Sequence, residues 1–313
     1  MNPSELTSSM YTKIAQVQGM FVSHPTVTKM LMKFRDAMSY RVQTGQPKNF
    51  LVYGRPGVGK TSLRKCIEQE FPPINLADRI LYPVLSITIP SRPTVKNVAE
   101  EILVSLGDPC FSKGSSTDKT NRIINAVRNH GVQMFVFDEM QHFVDGGNKN
   151  SPREVSDWLK VLIDISKAST ILLGGESVRE ILHVNTQLRR RFSAVMELRP
   201  FDIANANDAK HFASIIRHFD RQLGLPNRID IQDSNLIIAF HFATFGVMDY
   251  IVKLMTKAYE LAIENGNTQI TRNLLEEAFT ESIWIDGVGS KNPFNREFEQ
   301  KYLDYEVGMP FKS

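Results

Sequence analysis

A parallel α/β sheet domain followed by a small all-helical domain is the fold class this sequence predicts. Three observations carry the prediction. Short apolar runs bounded by turn residues alternate with amphipathic segments as far as about residue 201. Beyond "RPFD" the strand-like runs stop and only helical periodicity continues. The chain has 313 residues, 42% hydrophobic and 23% charged, an ordinary globular composition with room for two domains.

The elements follow in order. Residues 26–43 place Met30, Leu31, Phe34 and Met38 at helical spacing, so these are core positions of an early helix. "FLVY" at 50–53, "LSITI" at 85–89, "MFVF" at 134–137 and "TILL" at 170–173 read as buried strands, separated by helices over 94–106, 118–129 and 153–167. Strands alternating with helices pair in parallel, with helices covering both faces. Residues 205–222, 233–244, 247–265 and 271–281 then read as helices broken at "GLPNR" and "NGN", with Phe242 and Phe245 on core faces. The expected divisions are an N-terminal helical segment (1–45), the α/β core (46–201), a helical domain (202–284) and an extended tail (285–313). The tail, rich in Gly, Pro and charge, suits either a disordered terminus or a peptide that binds a partner.

Composition excludes several classes. Two cysteines, Cys66 and Cys110, are too few for a disulfide framework or a zinc cluster and fit a reducing compartment. The first residues lack a signal-peptide core, and no apolar run approaches the ~20 residues of a membrane span. A cytoplasmic protein without membrane contact is expected. The net charge of +3 permits a nucleic-acid partner without requiring one.

The chemistry is concentrated in "GRPGVGKTSL", residues 54–63, directly after an apolar strand. Gly54, Arg55, Pro56, Gly57, Val58, Gly59, Lys60 and Thr61 match the Walker A pattern, with Ser62 next in the helix. The glycines let backbone N–H groups turn inward around a phosphate, and the following helix adds the positive end of its dipole. Lys60 is expected to reach the β- and γ-phosphates of ATP, and the Thr61 hydroxyl to ligate Mg2+. A second acidic site comes from "MFVFDE": Asp138 is suited to hold Mg2+ through water, and Glu139 to orient and deprotonate a water attacking the γ-phosphate.

In "NTQLRRRF", residues 185–192, three arginines stand together before Phe192. A solvated basic face is one account of them. The other is an arginine finger reaching a neighbouring subunit's nucleotide, as in AAA+ ATPases, with Arg191 the best match and Arg190 the second.

Together, "YGRPGVGKT", "MFVFDEMQHF", "TILLGGES" and "QLRRRF", followed by helices, resemble the TnsC/TniB family of AAA+ ATPases over most of residues 20–280. The resemblance implies a P-loop AAA+ parallel-sheet domain with a C-terminal helical lid. It implies an ATP-hydrolysing ring or filament on double-stranded DNA that recruits and activates a transposase, linked in some systems to a target selector. Carried over, Lys60 and Thr61 are Walker A, Asp138 and Glu139 are Walker B, and Arg191 is the finger. Two positions depart from the pattern. After the fourth strand a polar sensor is expected, yet the chain reads Gly174-Gly175-Glu176-Ser177, leaving Glu176 or Ser177. Near the lid-sensor position Val247 and Met248 stand where Arg is often found, which implies slow hydrolysis or a weak response to nucleotide. His24 is placed to lie beside the adenine.

DNA held by an oligomer needs cations and small donors directed at phosphates. "PSRPTVKN" offers Arg92, Thr94 and Lys96, and "FSKGSSTDK" offers Lys113, Ser115, Ser116, Thr117 and Lys119 in a flexible setting. Three other readings compete. A replication-type loader shares the whole constellation, a nucleotide-gated scaffold would not bind DNA, and a metabolite kinase is disfavoured by Glu139 and the arginines.

Overall fold

The computed structural model describes residues 3–146 and 151–300. The chain divides into two compact units. Ser23–Arg55 and Gly59–Leu198 form the sheet unit; Pro56–Val58, the described residues up to Val22 and those from Arg199 onward form the helical unit. The first helix, α1 (Pro3–Gln18), belongs to the helical unit and the second, α2 (Pro25–Thr44), to the sheet unit.

In the sheet unit the order after α2 is β1 (Asn49–Tyr53), α3 (Lys60–Glu70), β2 (Ile74–Asn75), β3 (Ile80–Leu81), β4 (Val84–Thr88), α4 (Val95–Ser105), α5 (Ser116–Asn129), β5 (Met134–Asp138), α6 (His142–Asp145), α7 (Ser151–Ser166), β6 (Ser169–Gly174), α8 (Arg179–His183), α9 (Thr186–Arg189) and β7 (Phe192–Glu197). β2 and β3 make a small antiparallel hairpin. The other five strands form one sheet in the order β4-β5-β6-β1-β7, every pair parallel. β5 and β6 are buried at every residue, as strands covered on both faces must be. Alternate residues go to opposite faces: Leu51, Phe135, Phe137 and Leu172 join one cluster with α4, α5 and α7. On the opposite face Phe50 meets Phe34 of α2 edge to face, ring centres 5.3 Å apart.

Among the strands, the β2–β3 hairpin and β7 were not foreseen from the sequence. The β2–β3 hairpin is too short to leave a periodic signal. In β7 burial alternates between half-buried and exposed, Val195 being 52% exposed. An edge strand with one neighbour needs no continuous apolar run, so "FSAVME" lacks the signature by which the other four strands announce themselves.

The helical unit contains α1 with α10 (Ala206–Leu223), α11 (Ser234–Thr244), α12 (Met248–Glu264) and α13 (Arg272–Ser282). Its core is built on Phe212, Phe219, Phe240, Leu254, Ala258 and Phe279, and α1 adds Met10 and Val17. α10 starts on Asn205, whose side chain accepts from the Asn207 and Asp208 N–H groups, and it stops at Gly224 (φ 74°). Pro56–Val58 group with this unit, the Asp249 N–H donating to Gly57 O at 3.0 Å. Part of the stretch expected as an extended tail is built in: Asn292 and Phe294 are buried, Phe294 edge to face with Phe240 at 5.3 Å. Residues 301–313 of that stretch lie outside the described residues. Among the described residues no single helix is long and apolar enough to cross a membrane.

Candidate nucleotide site

The site is assembled at the C-terminal ends of the central strands. β1 delivers the chain into the Gly-rich loop, where the Gly54 N–H donates to Gly174 O at 3.2 Å across to β6. Gly59 has φ 105°, a backbone state that strains a residue with a Cβ, and α3 begins at the next residue. No side chain caps that helix start. Lys60 is buried, and its Nζ donates to Gly54 O at 2.8 Å and Arg55 O at 3.0 Å. Burial lowers the pKa of its ammonium, against the opposing pull of Glu139 and Asp138. Arg55, Thr61 and Ser62 are exposed.

Asp138, the last residue of β5, is 1% exposed and faces the loop. The Thr61 hydroxyl donates to its Oδ2 at 3.3 Å, and Arg64 Nε lies 3.3 Å from the same oxygen without hydrogen-bond geometry. The Glu139 N–H donates to Oδ1 at 2.9 Å. Burial nonetheless holds the Asp138 carboxyl above its usual range, and the nearby Glu139 charge adds to that. A hydroxyl and a carboxylate meeting beside a phosphate loop are hard oxygen donors of the kind Mg2+ takes, so the residues present fit that ion.

Glu139 has φ 60°. Its carboxylate accepts from Gln141 Nε2, and Gln141 Oε1 accepts the Gly175 N–H at 3.0 Å. Sequence reasoning passed over Gln141. The signal was present, a polar residue two positions beyond the acidic pair, but its partner is distant in sequence. Glu176 and Ser177 lie in a single 3-10 turn after Gly175. In the helical unit Val247 is buried and Met248 packs against the apolar core. His24 caps α2 through its backbone position.

The arginine triplet is divided. Arg189 and Arg190 are exposed. Arg191 is held: Nε donates to Asp164 Oδ1 and Nη2 to Oδ2, each at 2.6 Å, and Nη1 donates to Gln187 O at 2.6 Å. The buried Asn49 side chain fastens the turn to the sheet, donating to Arg191 O at 2.9 Å and accepting from the Thr170 N–H at 2.9 Å. Arg191 precedes β7, which runs parallel to β1 with Phe192 opposite Asn49. It therefore stands at the N-terminal end of the sheet, while Lys60 follows the C-terminal end. A five-residue strand spans about 16 Å, so Arg191 is a strand's length from its own loop.

The two DNA-facing candidates differ. Arg92 and Lys96 are exposed, and Thr94 caps α4, accepting from the Asn97 N–H at 3.1 Å. Lys113 and Thr117 are exposed, Ser116 is half-buried, and Ser115 caps α5 in a reciprocal pair with Asp118. Lys119 corrects the expectation. It is 0% exposed, with Nζ donating to Phe111 O at 2.7 Å and Lys113 O at 3.0 Å and lying 3.2 Å from Glu100. A buried ammonium needs all of these partners, so none of its donors faces a ligand. Nor is that loop loose, since Arg122 grips Asp108 at 2.6 and 2.8 Å and Lys113 O at 2.9 Å.

Comparison with known proteins decides the family. The model for the bacterial TniB protein matches residues 13–201. The chain belongs to the TniB family. This TniB chain is also 23% identical over 252 residues to an ORC1-type DNA replication protein 2 of Thermoplasma acidophilum, covering 77% of this chain and 58% of that protein. Solved structures share its fold. The Aeropyrum pernix ORC1 protein in complex with DNA is 14% identical with a TM-score of 0.61, covering 83% of this chain and 66% of its own. The A. pernix ORC2 protein, in ADPNP and ADP complexes, gives 14% and 0.60 over 80% and 65%. The Thermotoga maritima RuvB Holliday junction branch migration motor gives 16% and 0.51 over 87% and 72%. This TniB chain thus has the AAA+ P-loop ATPase fold and spans about two thirds or less of the ORC-type proteins it matches.

Proposed function

We propose that this chain is an ATP hydrolase that assembles on double-stranded DNA in an ATP-dependent way and regulates transposition by recruiting and activating a transposase for a target-selecting partner. The observation that carries the reading is the separation of its two charged centres: Lys60, Asp138 and Glu139 stand at one end of a parallel sheet and Arg191 at the other. A guanidinium a strand's length from its own phosphate loop can act on a phosphate only in another copy, which makes hydrolysis a property of an assembly.

In this reading the P-loop N–H groups and Lys60 hold the β- and γ-phosphates, Lys60 leaving its two carbonyl partners for them. Thr61 and Asp138 hold Mg2+, which neutralises phosphate charge when bound. Glu139 orients water and takes its proton, and Arg191, with Arg190 beside it, reaches the neighbour's γ-phosphate. Arg92, Lys96 and Lys113 contact DNA phosphates without reading bases, supported by Thr94, Ser115, Ser116 and Thr117.

Sedimentation with duplex DNA in the presence of an ATP analogue, ADP or no nucleotide tests this reading. A large DNA-bound species confined to the analogue, and lost in Arg191→Ala, is expected. A nucleotide-insensitive monomer that ignores DNA would sink it. The ORC-type relative favours a second reading, a replication loader. The two separate on whether purified transposase binds the nucleotide-loaded assembly.

A further inference from the structure

At the C-terminal edge of the sheet the Gln141 side chain joins two segments that are distant in sequence. Its amide orientation is settled by chemistry: a backbone N–H needs the oxygen and a carboxylate needs the nitrogen. Oε1 therefore accepts from Gly175 at 3.0 Å, and Nε2 donates to Glu139. Both ends of the bridge are built around it. Glu139 takes a left-handed backbone, φ 60°, uncommon for a residue with a Cβ, within a turn where the Met140 N–H donates to Leu173 O at 3.0 Å. On the other side the chain has two glycines. A Cβ at Gly174 would stand 2.7 Å from Gln141 Oε1, so the amide occupies the space that a side chain there would need. A Cβ at Gly175 would meet the Gln141 side chain only at ordinary contact, 3.6 Å.

We propose that Gln141 is the positioning residue for Glu139, supplying from the turn after β5 the polar group that the Gly174–Gly175 pair at the end of β6 does not. The role rests on the reading of Glu139 as the group that orients and deprotonates water. One amide hydrogen fixes the carboxylate, and its second can take the water oxygen. The oxygen end anchors the amide to the sheet, so the acid is aimed by a bridge between neighbouring strands.

The test uses the full chain with duplex DNA and MgATP. Wild-type turnover is measured first; a wild-type chain that binds an ATP analogue without ever hydrolysing ATP removes the hydrolase reading, and this role with it. Given turnover, Gln141→Ala should lower kcat tenfold or more with KM and analogue affinity within twofold. Gln141→Glu, which keeps the size and the Gly175 contact but sets a carboxylate against Glu139, should lose as much; it serves if the alanine variant folds poorly. Adding Gly175→Asn to Gln141→Ala places an amide in the vacated space and should recover at least threefold in kcat, which a merely structural role would not. Unchanged kcat in both single variants, a loss carried by nucleotide affinity, or a double variant no better than the single one overturns the proposal.

Discussion

Arg191 and Asp164 form a two-pronged ion pair, both nitrogen–oxygen distances 2.6 Å, at the turn that enters β7. The planar guanidinium matches the carboxylate fork and is thereby aimed without being buried, its side chain 30% exposed. Asp164 is held below the usual carboxylate range chiefly by the Arg191 hydrogen bond. A pair this exposed contributes about 1 kcal/mol or less to stability, so its value lies in orientation.

Removing this guanidinium should therefore harm neighbours and spare the fold. Arg191→Ala is expected to melt within a few degrees of wild type and bind nucleotide normally, with ATPase activity reduced a hundredfold or more. Lys60→Ala should lose nucleotide affinity. Mixed in equal amounts, the two inactive variants should regain activity, about a quarter of wild type if neighbours associate at random head to tail. Coupled ATPase assays on the mixture decide it. Two variants that assemble together yet stay inactive would show that Arg191 does not act across an interface.

Asp138 offers a prediction whose sign follows from its surroundings. Burial raises its pKa despite help from the Glu139 N–H, Arg64 and Thr61. A raised acid favours folding fully below the ordinary Asp value near 4, and that contribution is lost as pH rises through the raised value. Near neutral pH the carboxylate is thus a liability to the nucleotide-free fold. Asp138→Asn should raise the melting temperature of the nucleotide-free protein at pH 7.5, by about 1 kcal/mol or a few degrees. The advantage should shrink as the pH is lowered towards 5, while the variant's response to MgATP weakens. A lower melting point at pH 7.5 would mean that the Arg64 contact outweighs the burial.

What the sequence disclosed and what it hid have a common physical cause. The loop from Gly54 to Thr61, the Asp138–Glu139 pair and the four apolar strands β1, β4, β5 and β6 are local patterns, each forced by one strand or one turn. β7 escaped because an edge strand with Val195 turned to solvent has no continuous apolar run. Gln141 escaped because its role depends on Gly175, which only the sheet brings near. Lys119 misled for the converse reason. A lysine in a polar loop reads as solvated, and nothing local shows that the carbonyls of Phe111 and Lys113 close around it.

The loop lysines can be separated by experiment on that basis. Arg92→Ala, Lys96→Ala and Lys113→Ala should each weaken DNA binding evenly across sequences and lower the slope of log K against log salt by about one. Lys119→Ala should instead destabilise the sheet unit by about 1–3 kcal/mol, since Glu100 and two carbonyls lose their donor. Fluorescence anisotropy over a salt series, paired with denaturant melts, distinguishes them. A Lys119 variant of normal stability with a reduced salt slope would return that residue to the DNA surface.

Asn292 and Phe294 bear on how much of the C-terminal stretch belongs to the fold. Asn292 Nδ2 donates to Glu276 O and Gly287 O, both at 2.8 Å, and Oδ1 accepts the Phe294 N–H at 3.0 Å. Arg272 Nε donates to Phe294 O at 2.7 Å. The asparagine thus ties Glu276 O within α13 to Gly287 O beyond it and turns the chain so that the Phe294 ring enters the core beside Phe240. Phe294→Ala should cost about 3–5 kcal/mol through the cavity it leaves. Asn292→Ala should cost about 2–3 kcal/mol through the Phe294 N–H it strands and the two carbonyl hydrogen bonds it removes, a loss that Asp at the same position would restore only in part because it lacks the N–H donors. Urea midpoints measure both effects. If the segment were a free peptide awaiting a partner, both substitutions would leave the midpoint within about 0.5 kcal/mol of wild type, the usual range for surface changes.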